Sequence, residues 1–108
     1  MTEARNPQDI YTLLVEVGRR KGDGLQKGAT GAALMCYSGG VNEAEAVRET
    51  VAVIKTAGMA PLSVSSYGSL KDRLADGHDI PGEEIDLMQR AVDENSVIVA
   101  QHTQFFDD

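Results

Sequence analysis

The sequence of 108 residues is poor in cysteine, in aromatic residues and in long apolar runs. Its single cysteine, Cys36, cannot form an intramolecular disulfide. No apolar run approaches the roughly 18 residues that a membrane-spanning helix needs, and residues 1–8 lack the apolar segment of a secretory signal. These absences predict a reduced, cytoplasmic setting and no membrane partner.

The aromatic residues are three tyrosines and two phenylalanines, so surfaces on which nucleic-acid bases stack are scarce. The formal net charge is −7, and it is unevenly distributed. Residues 1–41 carry five basic and four acidic side chains, whereas residues 42–108 carry five and thirteen. An acidic surface repels phosphate backbones, which argues against a nucleic-acid partner. Solubility alone is enough to explain the acidity.

The length predicts one domain over residues 10–106, with a polar leader at 1–9 and an acidic tail at 107–108. A strand is predicted at 11–17, where apolar side chains alternate. Residues 18–31 hold five glycines and four basic residues, which indicates a loop, because glycine loses much backbone entropy in a regular element. The short apolar run that follows, residues 32–37, is typical of a buried strand.

The most regular pattern in the chain predicts a helix after Asn42. Asn42 and Glu45 fit a capping box at its start, and Gly58 with Pro61 ends it. Its apolar stripe consists of Ala44, Val47, Val51 and Ile54. The remaining patterns predict a strand at 62–67, a short helical turn at 69–76, a helix from Pro81 to about Asn95 and a strand within 96–106.

This order, β-β-α-β-α-β, predicts an α/β domain of the α+β type. We expect a two-layer sandwich in which a mixed four-stranded sheet carries helices mainly on one face. The strand–helix–strand link predicts a parallel pair with a right-handed crossover. In general topology the chain resembles ferredoxin-like sandwiches, a resemblance that implies a fold and no function. A partly apolar open face of the sheet predicts a homodimer.

Two segments have the composition of an anion site. In the glycine-rich loop, backbone N–H groups approach an anion closely and basic side chains neutralise it. Before the first long helix, two glycines precede a helix N-terminus, which attracts anions. A plain hairpin loop and a plain turn remain the alternatives, because neither segment has the spacing of a phosphate-binding glycine motif. The candidate residues are Arg19, Arg20, Lys21, Lys27, Gly39 and Gly40.

The candidate catalytic residues are Cys36, His102, Tyr37 and Tyr67. If the second and fourth strands are neighbours, Cys36 and His102 form a thiol–imidazole dyad. Otherwise Cys36 is a buried thiol that only packs. His102 with Tyr37 or Tyr67 is also suited to acid–base work, whereas a strand that emerges into solvent explains His102 equally.

Asp76, His78 and Asp79 are metal-ligand types, but their spacing is not that of a common metal site, so no metal is expected. The sequence does not identify a cofactor. The first hypothesis is therefore a small accessory, regulatory or binding module, dimeric, with a protein or small-ligand partner. The alternative is an enzyme, or a subunit of one, that acts on a small anionic metabolite through the basic loop and His102.

Overall fold

The computed structural model describes residues 9–94 and 96–106 of the chain. Residues 1–8 of the predicted leader, the predicted helix end at Asn95 and the predicted tail at 107–108 lie outside the described residues. In chain order the elements are β1 (Asp9–Gly18), β2 (Ala29–Gly40), α1 (Glu43–Thr56), β3 (Ala60–Ser69), α2 (Leu70–Ala75), α3 (Gly82–Asp93) and β4 (Ile98–Phe106).

The four strands form one sheet in the order β3-β1-β2-β4, and every neighbouring pair is antiparallel. The predicted α+β class, with helices packed on a four-stranded sheet, is confirmed. The sheet is not mixed, however. β2 and β3 run in the same direction, as the strand–helix–strand link predicts, but β1 lies between them and pairs with both. Because the central hairpin separates the two strands, no parallel ladder forms, and the likeness to ferredoxin-like sandwiches is only approximate.

The β1–β2 hairpin forms the centre of the molecule. Its register runs without interruption from Asp9 opposite Gly40 to Val17 opposite Ala32. Neighbouring side chains of β2 therefore point to opposite faces of the sheet. Cys36 belongs to the core cluster that contains Ile54 of α1, whereas Tyr37 belongs to the cluster that contains Met88 of α3.

The first core cluster lies between the sheet and α1. Its buried members are Val15, Val17, Leu25, Ala29, Ala32, Leu34, Cys36 and Ile54. The predicted N-cap of α1 is present, since Glu45 N–H donates to Asn42 Oδ1 at 2.9 Å. The Glu45 carboxylate accepts the Val41 N–H at 3.2 Å, one residue before the N-cap, so the reciprocal bond of a capping box is shifted by one residue. The buried stripe of α1 consists of Ala46, Thr50 and Ile54, so only Ile54 of the predicted stripe is fully buried.

The second cluster lies at the end of the sheet where β1 begins. Ile10 and Tyr37 of the sheet pack there against Ile80, Met88 and Ala91. Thus α1 packs on the sheet beside Cys36, and α2 and α3 pack on it beside Tyr37. None of the described helices is long and apolar enough to cross a membrane.

Candidate functional site

The glycine-rich loop occupies residues 19–28 and is shorter than predicted, because Ala29 to Gly31 belong to β2. Arg19 holds it together. Its Nε donates to Asp23 Oδ2 at 3.0 Å, and its Nη1 donates to the carbonyl oxygens of Gln26 at 3.0 Å and Ala29 at 2.6 Å. Since Arg19 bonds within the loop, its guanidinium has a structural role and is not free for a ligand.

Asp23 is the acceptor at the centre of the same loop and is 3% exposed. Its carboxylate accepts the backbone N–H groups of Arg20 at 2.8 Å and Leu25 at 3.0 Å. These backbone bonds, followed by the Arg19 guanidinium, lower the pKa of the Asp23 carboxyl below its ordinary value. The loop is therefore built around one internal carboxylate, which competes with any external anion for its donors.

The remaining basic residues of the loop, Arg20, Lys21 and Lys27, are exposed. The turn that contains Arg20 and Lys21 lies against the end of α1, because a Cβ placed on Gly58 would be 3.2 Å from the Gly22 carbonyl oxygen. The C-terminal end of a helix carries a partial negative charge. The positive charge of this turn therefore complements the negative end of α1, and no bound anion is needed to explain it.

Gly40, the second of the two glycines before α1, has a packing role. A Cβ on Gly40 would lie 2.9 Å from the Asn42 carbonyl oxygen and 3.0 Å from the Ala46 nitrogen, so the close approach of β2 to α1 requires glycine. At this helix N-terminus the Glu45 N–H already donates to Asn42, and the Val41 N–H already donates to the Glu45 carboxylate. An anion at Gly39 and Gly40 would meet that negative charge.

Cys36 and His102 lie on neighbouring strands, as the dyad hypothesis requires. Cys36 is opposite Val99 and His102 is opposite Leu34, so both side chains are on the α1 side of the sheet. The thiol is fully buried and donates to the Leu34 carbonyl oxygen at 3.8 Å. Burial raises the pKa of the Cys36 thiol to about 11. The geometry therefore matches a thiol that packs in the core, since a nucleophile needs a lowered pKa.

Tyr37 and Tyr67 are both separated from His102. Tyr37 is 2% exposed, and its hydroxyl donates to Glu84 Oε1 of α3. Burial, with a smaller effect of Glu84, raises the pKa of Tyr37 to about 12. Next to this pair, Arg73 Nη1 of α2 donates to Thr12 Oγ1 at 3.0 Å. These two hydrogen bonds, Tyr37–Glu84 and Arg73–Thr12, hold α3 and α2 to the sheet. Tyr67 is 51% exposed on β3, at the edge of the sheet opposite to β4.

His102 borders an apolar depression between α1 and β4, which we call the α1–β4 groove. It has a volume of about 250 Å³ and is lined by Leu34, Val53, Ile54, Ala57, Met59, Val99 and His102. Val53 and Val99 are 42% and 46% exposed, so the mouth of the groove presents apolar surface to solvent. The imidazole is the one ionisable group in this lining.

β4 forms one edge of the sheet, and in the described part of the chain no strand pairs with its outer side. Its nine residues include neither proline nor a side chain of Asp, Glu, Lys or Arg. The opposite edge strand, β3, is also uncharged but contains Pro61, and each edge strand has two register shifts along its neighbour. Near the end of β4, Phe105 and Phe106 are 40% and 50% exposed. The α1–β4 groove and this free edge form one continuous surface.

A family model matches residues 10–106, which is most of the chain. Its description is Domain of unknown function (DUF8846). The chain belongs to this family. The description of DUF8846 names no activity, ligand or partner. No curated protein and no solved structure matches the chain.

For this DUF8846 member, sequence reasoning identified His102 but not the surface around it. The groove is lined by residues of β2, of α1 and of β4, and by Ala57 and Met59, which follow α1. The strands and the helix that supply these residues are far apart in the sequence. One signal was nevertheless present in the sequence, because residues 98–106, at the end of the predicted domain, contain neither a formal charge nor a proline. An edge strand of that composition is a pairing surface.

Proposed function

We propose that the chain is a non-enzymatic accessory module that acts as a homodimer, and that its joining surface is the α1–β4 groove with the free edge of β4. The observation that carries this proposal is the edge strand itself, which has nine residues and no formal charge. Proteins usually protect sheet edges with charged residues, proline or a covering element. An unprotected edge beside an apolar groove is suited to adding another strand.

The positions of the other candidate residues support a binding role. Arg19 is engaged by its own loop, the Cys36 thiol is in the core, and Tyr37 is bound to Glu84. Each of these side chains stabilises the fold where it lies. A reduced, cytoplasmic setting is part of the proposal, because Cys36 is a buried free thiol with no partner cysteine in the sequence.

Native mass spectrometry of the purified protein, compared with its denatured mass, tests the proposal. We expect a dimer at micromolar concentration with no additional mass. Val99→Lys, which places a charge at the mouth of the groove, shifts the protein toward monomer. Leu62→Lys is the matched control, because Leu62 is 72% exposed on the opposite edge strand. A monomer at all concentrations, or equal effects of the two variants, would rule out this joining surface.

The alternative function, a site for a small anionic metabolite, rests on the exposed basic residues Arg20 and Lys21. It predicts that phosphate raises the midpoint of thermal unfolding and that Arg20→Ala removes this rise. The dimer proposal predicts no rise beyond that produced by sodium chloride at equal ionic strength. A phosphate-specific rise that Arg20→Ala abolishes would favour the alternative function.

A further inference from the structure

We infer that two copies pair antiparallel through β4, with the twofold axis at Thr103, and that Phe106 of each copy lies at the mouth of the other copy's α1–β4 groove. This inference rests on the proposed dimer and adds the register of the two β4 strands and the side chain, Phe106, that covers the groove of the other copy. It follows from which face of the sheet each β4 residue occupies.

The faces are fixed by the pairing of β4 with β2. Val99 is opposite Cys36 and His102 is opposite Leu34, and both of these β2 residues belong to the core beneath α1. Ala100 has no partner, because the register shifts between Met35 and Cys36. Val99, His102, Gln104 and Phe106 therefore lie on the α1 side, and Gln101, Thr103 and Phe105 lie on the other side.

Residues directly opposite each other in an antiparallel pair share a face. A twofold axis at Thr103 satisfies this condition along the strand. It places Thr103 opposite Thr103, His102 opposite Gln104 and Gln101 opposite Phe105. With Ala100 as the extra residue of a bulge, as in the pairing with β2, Val99 is opposite Phe106. This register uses all of β4 from Val99 to Phe106.

The register joins the exposed apolar groups of the two copies. Val99 is 46% exposed at the groove mouth, and Phe106 is 50% exposed at the far end of the strand. Antiparallel pairing brings these two ends together twice, once on each side of the axis. The ring of Phe106 then covers apolar groove surface that is open in the single copy.

The uncharged edge lets a second copy be the occupant despite the net charge. Each copy has a formal charge of −7, so two copies repel overall, and the repulsion is least where they meet without charged side chains. β4 is such a place, and a pair of identical strands in this register presents no charged side chain to either partner. The same strand offers no charged group that would select a charged foreign segment.

Disulfide crosslinking tests the register in the full chain. Two cysteines at a twofold axis of antiparallel strands have Cα atoms about 4.5–5.5 Å apart, within the range that a disulfide spans. Thr103→Cys is expected to form a covalent dimer when oxidised glutathione is added, because the native Cys36 is buried. Ser65→Cys, exposed on β3, is the matched control and is expected to stay monomeric on a denaturing gel.

Each outcome decides between the proposals. A monomer in native mass spectrometry overturns both the dimer and this inference. A native dimer in which Thr103→Cys crosslinks no better than Ser65→Cys overturns the β4 interface and leaves the dimer standing. Faster crosslinking of His102→Cys than of Thr103→Cys overturns the register. Phe106→Ala is expected to raise the dimer dissociation constant at least tenfold, and an unchanged constant would overturn the role of Phe106.

Discussion

Arg19 and Arg20 are neighbours with the same charge, but the structure gives them different roles. The Arg19 guanidinium donates to Asp23, Gln26 and Ala29, whereas none of the hydrogen bonds within the described residues involves the Arg20 side chain. We expect Arg19→Ala to lower the free energy of unfolding by about 1–2 kcal/mol, since charged hydrogen bonds to a partly buried loop are lost. Arg20→Ala is expected to change it by less than about 0.5 kcal/mol.

Urea denaturation of the two variants measures this difference directly. Both variants remove one positive charge from the same turn, so the general electrostatic effect is matched. Equal losses of stability would mean that the charge of the loop, and not the bonds of Arg19, stabilises the hairpin.

The raised pKa of Tyr37 predicts how the free energy of unfolding changes at alkaline pH. Burial raises its pKa from 10.0 to about 12 in the folded protein. The neutral hydroxyl is thus favoured by folding, and its contribution is fully present below pH 10. As pH rises from 10 to about 12, the unfolded chain ionises first and the contribution is lost.

We expect the free energy of unfolding to fall across this window, measured by urea denaturation at successive pH values. Tyr37→Phe should flatten the fall. Part of the decline should remain, because burial also raises the pKa of Cys36, from 9.0 to about 11. Tyr67→Phe, which changes an exposed ring, should keep the wild-type profile. An unchanged profile in Tyr37→Phe would show that this hydroxyl is not held neutral by the fold.

At the scale of elements, two glycines at the ends of different elements give opposite predictions. A Cβ on Gly31 of β2 would lie 2.5 Å from the Val17 carbonyl oxygen, which is a backbone atom and cannot move aside cheaply. Gly31→Ala is expected to cost about 1–3 kcal/mol. Gly82 begins α3 with open space around the same position, so Gly82→Ala is expected to gain about 0.5–1 kcal/mol.

Thermal and urea unfolding of both variants measure these effects. The opposite signs are the informative result, because a general preference for alanine would stabilise both proteins. A Gly31→Ala protein as stable as the wild type would contradict the close approach of β1 and β2 at that point.

The elements themselves were largely predictable. Asn42, Glu45 and Gly58 marked α1 correctly, and Ser69 caps α2 through Asp72 N–H at 3.1 Å, as the predicted turn implied. Local signals succeeded because capping is a matter of a few adjacent residues. The end of the glycine-rich loop was placed too late at Gly31, because composition does not show that Arg19 bonds to Ala29 and closes the hairpin earlier.

Strand order and the site depended on contacts that local patterns do not contain. Nothing in the sequence of β1 shows that it inserts between β2 and β3, so the mixed sheet was the wrong choice. His102 was identified as a residue at a strand end, but its apolar neighbours Val53 and Met59 come from α1 and the residue after its turn. A groove formed by distant segments becomes visible only when the strands are in register.

At the scale of the whole molecule, the charge of the chain and the composition of β4 make one prediction about salt. Two copies with a formal charge of −7 each repel, while the proposed interface contains no charged side chain. Raising sodium chloride from about 0.05 M to about 0.5 M shortens the screening length several-fold and weakens only the repulsion. The dimer dissociation constant should therefore fall as salt rises.

Sedimentation velocity at both salt concentrations measures this dependence. Ion pairs between copies would give the opposite sign, because salt screens attraction as well as repulsion. Val99→Lys supplies the control, since it adds a positive charge to each acidic copy and so lowers the repulsion between copies. The dissociation constant of this variant should therefore fall less than that of the wild type as salt rises. A wild-type dimer that dissociates as salt is added would place charged groups in the interface, and an interface of that kind cannot be the edge of β4.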